Sequence, residues 1–207
     1  MAKMKKISPV LHAAGAADMQ CFSHFRREHL RSPSALSVRS VLYDAIYPDD
    51  FKTATRRFTF TVARQAGARP GPASFMAPTA AAHVKNVAAW VDGQAAEVTL
   101  KRRGKRTEMV VDMEHAEKNA AVSTLELTFD TPAMILGQDE NQVFLGDFFV
   151  LDAPVARWKA TVRLPPKWQA SGSLPNGTAR GSRIETSGPA LRACEHQLLC
   201  FAAHRKN

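Results

Sequence analysis

Cys194, His196, Cys200 and His204 are the residues of this chain best suited by type to hold a metal ion, because thiolate and imidazole are the usual zinc ligands. The run that carries them, LRACEHQLLCFAA, reads as a strand. A strand puts all four on one face but spreads the first and last over ~30 Å, too far to share one ion. No Gly or Pro lies between them to fold the run back, so core residues and no metal are expected. Cys21 with His24 and His29 would supply a nucleophile and a base, yet no orienting carboxylate or oxyanion donor accompanies them. Asp139, Glu140, Asp147 and Asp152 gather near a predicted hairpin and are read as solvated loop acids rather than a cation site. HExxH, GxSxG and a glycine-rich phosphate loop ending in Lys and Ser or Thr do not occur. No catalytic, cofactor-binding or metal-binding residue is therefore assigned, and the expectation is a protein that is not an enzyme.

The sharpest local feature is electrostatic. Lys101, Arg102, Arg103, Lys105 and Arg106 surround Gly104, and Arg26, Arg27, Arg31 and Arg39 lie toward the N-terminus beside Phe22 and Phe25. Twenty-eight Lys and Arg against nineteen Asp and Glu give a net charge of +9, which favours polyanionic partners. A run of cations at a hairpin tip suits an acidic protein surface or an RNA backbone, and the alternative is a solubilising turn. Partner binding is expected from Lys101, Arg102, Arg103, Lys105, Arg106, Arg26, Arg27 and Arg31.

The elements that position these residues are mostly strands. FTFTVA alternates, with Phe58, Phe60 and Val62 on one face and Thr59 and Thr61 on the other. Asp92-Gly93 is a strong hairpin signal, and RRGK marks a second turn across which Val98 and Leu100 should face Met109 and Val111. VSTLELTFD should turn Leu125, Leu127 and Phe129 inward, and QVFLGDFFVL, RWKATVRLPP and SRIETS continue the rhythm. GARPGPASFMAPTAAA and PPKWQASGSLPNGTARGS, rich in Pro, Gly and small residues, read as loops. Trp90, Trp158 and Trp168 are expected in the core or at its rim. The fold class that results is all-β: an antiparallel β-sandwich over residues 53–207, preceded by an irregular, partly helical arm at 1–52 with one short helix around 18–30.

At 207 residues the chain is long enough for a proper core without staples. Three cysteines are too few for a disulfide framework, so reduced thiols are expected. No apolar run reaches the roughly 20 residues that span a bilayer, so the chain is not expected to be membrane-integral by itself. Near the N-terminus, KMKK followed by ISPVLHAAGAA has a basic start and small residues, but Pro9 and His12 interrupt a signal-like core; CFSHFRREHLRSPSALSVRS suits a mitochondrial presequence. Asn176-Gly177-Thr178 is a glycosylation acceptor only in the secretory pathway.

Residues from about 84 to 192 resemble the N-terminal lumenal part of ribophorin I, a non-catalytic subunit of the oligosaccharyltransferase complex. The resemblance is carried by QDENQVFLGDFFVLDAP, by RWKATVRLPP, by TEMVVDMEHAEKNAAVSTLELTFDT and by the Gly188-Pro189 step. It implies an accessory or scaffold subunit that binds other protein subunits and sits in the endoplasmic reticulum lumen. DAPVARWKATVRLPP is also similar to a segment of the N-terminal β-domain of zinc aminopeptidases, a family that keeps its chemistry in a following domain. The alternative function is a basic structural protein of a ribonucleoprotein or mitochondrial assembly that binds RNA or an acidic subunit, and a third is an enzyme with an unrecognised site.

Overall fold

The computed structural model describes residues 36–64, 72–77, 81–104, 106–113, 122–151, 153–174, 177–192 and 196–206. The strands are β1 Leu36–Ile46, β2 Thr53–Arg64, β3 Ala73–Ala77, β4 Lys85–Val91, β5 Gln94–Ala96, β6 Val98–Arg103, β7 Arg106–Val111 and β8 Val122–Pro132. They continue as β9 Met134–Gln138, β10 Gln142–Val150, β11 Trp158–Arg163, β12 Trp168–Leu174, β13 Thr178–Arg180, β14 Arg183–Gly188 and β15 His196–Arg205. One short 3-10 turn, Ala81–His83, precedes β4. The all-β class follows from the alternation: Phe58, Phe60 and Val62 are buried along β2, and Leu125, Leu127 and Phe129 along β8, as their period of two requires.

Three sheets form. The largest has eight strands in the order β13-β14-β11-β1-β2-β8-β4-β5; a second runs β12-β15-β10-β9, and a third β3-β7-β6. The two small sheets share the inner face of the large one. Phe60 of β2 stacks on Phe75 of β3 with ring centroids 4.5 Å apart, while Phe51, before β2, meets Trp168 of β12 edge-on at 5.1 Å. The named strand pairs are antiparallel except that β1 and β11 run parallel, Val41 opposite Trp158 and Ile46 opposite Arg163. Ahead of that pair residues 154–156 are laid along β1, with Val38 donating its amide to the Pro154 carbonyl and Ala156 donating to the Val38 carbonyl.

The turns match their residues. Asp92 and Gly93 both have positive φ, 50° and 80°, the geometry of a two-residue hairpin whose twist suits its strands. Val98 pairs with Val111 and Leu100 with Met109 across β6 and β7, as expected. Three readings change. Leu36–Ile46, within the stretch assigned to the arm, is β1 and lies inside the large sheet between β11 and β2. Ala73–Ala77, within a stretch read as loop, is an edge strand, since Pro72 precedes it and removes no ladder donor from its interior. The second supposed loop contains β12 and β13; β12 pairs with β15 despite its small residues, with a bulge between Ala170 and Gly172. The helix expected around 18–30 lies outside the described residues. Among the described residues, no helix is long and apolar enough to cross a membrane.

Candidate functional site

Among the described residues, chemistry-bearing side chains meet inside the molecule around Arg56 and Asp147. Arg56 sits on β2 in the inward parity of Ala54 and Phe58, and Asp147 on β10 in the inward parity of Val143 and Leu145; each is only 1% exposed. Their side chains pair across the two sheets, Arg56 Nε to Asp147 Oδ2, at 2.9 Å. The Tyr43 hydroxyl of β1 donates to the same carboxylate oxygen. Arg56 Nη1 also donates to the Ala54 carbonyl at 3.3 Å and to the Thr131 hydroxyl of β8. Small residues make room for the guanidinium, since Ala45 lies opposite Arg56 in the β1–β2 register and Ala54 opposite Thr131 in β2–β8. Among the described residues, Tyr47 Oη and Arg56 Nη2 are buried without a hydrogen-bond partner.

Burial, and then the Asp147 charge, push the Tyr43 phenol well above its ordinary range, with Arg56 opposing. The Tyr47 phenol is raised for the same two leading reasons. Burial disfavours the Arg56 cation, but the Asp147 carboxylate outweighs it and holds the guanidinium charged. Tyr43, Arg56 and Asp147 are all buried, and the cluster joins the large sheet to the four-stranded sheet by a charge-assisted contact. The reading of Asp147 as a loop acid is thus corrected. Of its supposed companions, Asp139 is exposed and accepts the amides of Asn141 and Gln142 at 2.8 and 2.7 Å, Glu140 is exposed, and Asp152 lies outside the described residues. A carboxylate and a guanidinium at inward parity on two apolar strands were the signal that would have found the pair.

The Cys/His run does not gather. β15 is continuous, so His196, Cys200 and His204 are spaced along an extended strand by ~13 Å per step, and Cys194 lies outside the described residues. Burial pushes the Cys200 thiol up. Among the described residues, no group of three His, Cys, Asp or Glu is arranged to hold a metal. Cys21, His24, His29, Asn176, Arg26, Arg27 and Arg31 also lie outside the described residues. On the basic hairpin, Lys101 and Arg102 are exposed, Arg103 ends β6, Arg106 is half-buried at the start of β7, and Lys105 lies outside the described residues.

No family model matches the sequence. No curated protein matches it either. The fold is similar to that of yeast LTA4 hydrolase in complex with bestatin, at TM-score 0.55 and 10% identity, over 87% of this chain and 32% of that one. It is likewise similar to native leukotriene A4 hydrolase from Saccharomyces cerevisiae, at TM-score 0.52 and 11% identity, over 88% and 33%. An M1 zinc metallopeptidase from Deinococcus radiodurans matches at TM-score 0.43 and 14% identity, over 81% and 42%. The chain spans about a third of the length of the yeast enzymes. At this identity the likeness is one of fold. It overturns the resemblance to ribophorin I, and with it the reading of a non-catalytic ribophorin-like accessory subunit and the expectation that the protein is not an enzyme. The ribophorin pattern rested on strand rhythm, which unrelated sandwiches share; within DAPVARWKATVRLPP, Val155 and Trp158–Arg163 run parallel to β1.

Proposed function

We propose that this chain is the β-domain of a peptidase of the LTA4 hydrolase and M1 type, and that it packs against a catalytic body and shapes the access of peptides to it. The single observation that supports this is the fold likeness: 87% of the chain matches 32% of the yeast enzyme, so the likeness is to one part of that enzyme. The zinc that such peptidases carry does not fit the residues of this chain, because HExxH does not occur and the Cys/His run of β15 is stretched along a strand. On this reading the metal ligands belong to the catalytic body, and this chain contributes a stiff, polar-faced sheet. That stiffness comes from the Arg56–Asp147 contact and the aromatic packing of Phe60 on Phe75, which fix the small sheets to the large one.

The test is to tag the chain in its native source and assay the purified material against aminoacyl-coumarin substrates. Hydrolysis that co-elutes with the tag and is blocked by bestatin supports the reading. Homogeneous tagged material without such activity would overturn it.

A further inference from the structure

Two polar atoms of the interior stand apart from the bonds that join the sheets. Tyr47 follows β1 directly and keeps the inward parity of Tyr43 and Ala45, its amide donating to the Arg163 carbonyl at 3.0 Å. Ala45 faces Arg56 and Ile46 faces Thr55 in the β1–β2 register, so Tyr47 comes beside Ala54. Tyr43 and Tyr47 therefore flank the guanidinium from β1, one on each side of Ala45. The Tyr43 hydroxyl goes to Asp147. Arg56 gives Nε to Asp147 and Nη1 to the Ala54 carbonyl and the Thr131 hydroxyl. Among the described residues, the Tyr47 hydroxyl and Arg56 Nη2 have no hydrogen-bond partner, although the two residues are only 2% and 1% exposed. The charges of Asp147 and Arg56 both act on the Tyr47 phenol, as expected of a near neighbour.

We propose that Tyr47 Oη and Arg56 Nη2 form an internal binding site for one water molecule, set in the joint between the large and the four-stranded sheets. A buried donor without an acceptor is far costlier than a bonded one, and protein interiors satisfy such groups with ordered water. Diagonal neighbours of this kind lie ~7–8 Å apart at Cα, a span that two long side chains shorten to the reach of two hydrogen bonds through one oxygen. Ala45 and Ala54, small side chains at inward parity on the two strands, take little of the space beside the pair. The donor set selects the ligand. Nη2 only donates, whereas the phenol both donates and accepts, so the bridging atom must accept from the guanidinium and exchange one hydrogen bond with the phenol. Water does both. A halide accepts only, and beside the balanced Arg56–Asp147 pair it would bring a buried charge without a counter-ion. The site is a property of the fold and stands whether or not the chain serves a peptidase.

The experiment is a crystal structure of the full chain grown from sodium bromide, paired with oxygen-17 magnetic relaxation dispersion in solution, which counts long-lived internal waters. The crystal should show a peak without anomalous signal at ~2.7–3.2 Å from both Tyr47 Oη and Arg56 Nη2. In solution Tyr47→Phe removes one of the two ligating groups, so its dispersion amplitude falls by one water relative to the parent. Tyr43→Phe loses a hydroxyl that serves Asp147 instead, so it keeps the parent amplitude and controls for general loosening of the cluster. The proposal is overturned if the crystal shows no peak between the two groups, if they bond each other directly, or if an anomalous bromide peak occupies the site. Equal water counts in Tyr47→Phe and the parent would overturn it too. So would loss of the same water in Tyr43→Phe, because the water would then follow the looseness of the cluster rather than the Tyr47 hydroxyl. Should Tyr47→Phe fail to fold, the peak in the parent crystal decides alone.

Discussion

Replacing Asp147 with Leu is the sharpest test of how the sheets are held together. At the observed 2.9 Å, two unit charges in a medium of effective dielectric ~20 attract by about 6 kcal/mol. Desolvating each ion costs several kcal/mol, so the intact pair is close to neutral in net stability. Removal of one partner is different. Arg56, 1% exposed, keeps its desolvation cost and loses its counter-charge, which predicts a loss of ~3–5 kcal/mol. For a protein of this size that corresponds to a fall of ~6–20 °C in thermal midpoint. The assay is urea unfolding followed by tryptophan fluorescence, with Asp147→Leu, Arg56→Met and the double variant in one cycle. The double variant should be at least ~2 kcal/mol more stable than Asp147→Leu, because no lone charge remains buried. If Asp147→Leu lies within ~0.5 kcal/mol of the parent, or the two losses simply add, the pair is not the contact described here.

Three further outcomes follow from the same interior. Tyr43 and Tyr47 are the two tyrosines of the chain and both are raised when folded, so the native state keeps protons that the unfolded state releases. Their stability contribution is complete below pH ~10 and falls by about 2.7 kcal/mol per unit above it. Absorbance at 295 nm should therefore stay flat until the protein unfolds and then rise for both phenols together; independent titration of either near pH ~10 in the folded protein would contradict this. Gly188 lies against the Trp158 indole, where an added Cβ overlaps a rigid ring, so Gly188→Ala should cost ~1–3 kcal/mol by equilibrium unfolding, and a neutral result would show the ring free to shift. The buried Cys200 thiol, with its raised pKa, should react with a thiol reagent at neutral pH only as fast as the protein opens; immediate reaction of Cys200, read by peptide mapping, would show it accessible.

The all-β class was legible because inward Phe58, Phe60 and Val62 and outward Thr59 and Thr61 repeat the strand period without interruption. Asp92-Gly93 and the Val98–Val111 register were legible for a similar reason, since turn chemistry fixes pairing locally. What the sequence hid was non-local. β1 joins β11 in parallel across more than a hundred residues, and no local pattern marks that choice. β12 is built from Trp168 and small polar residues, so its place beside β15 comes from the sheet it completes. Asp147 was misread because its neighbours in sequence include acids on an exposed turn, whereas its partner Arg56 lies on another sheet. Charge at inward parity looks like a loop residue until the opposite charge is placed.

The central claim is that this chain works as one unit of a peptidase. The direct measurement is retention on immobilised bestatin, the compound bound by the yeast enzyme of similar fold. Native extract is passed over the resin, and the chain is followed by immunoblot through loading, washing and elution with free bestatin. The claim predicts that the native chain is held and released by free bestatin, together with aminopeptidase activity. Passage of the native chain in the unbound fraction, while other bestatin-sensitive peptidases of the same extract are retained, would contradict it.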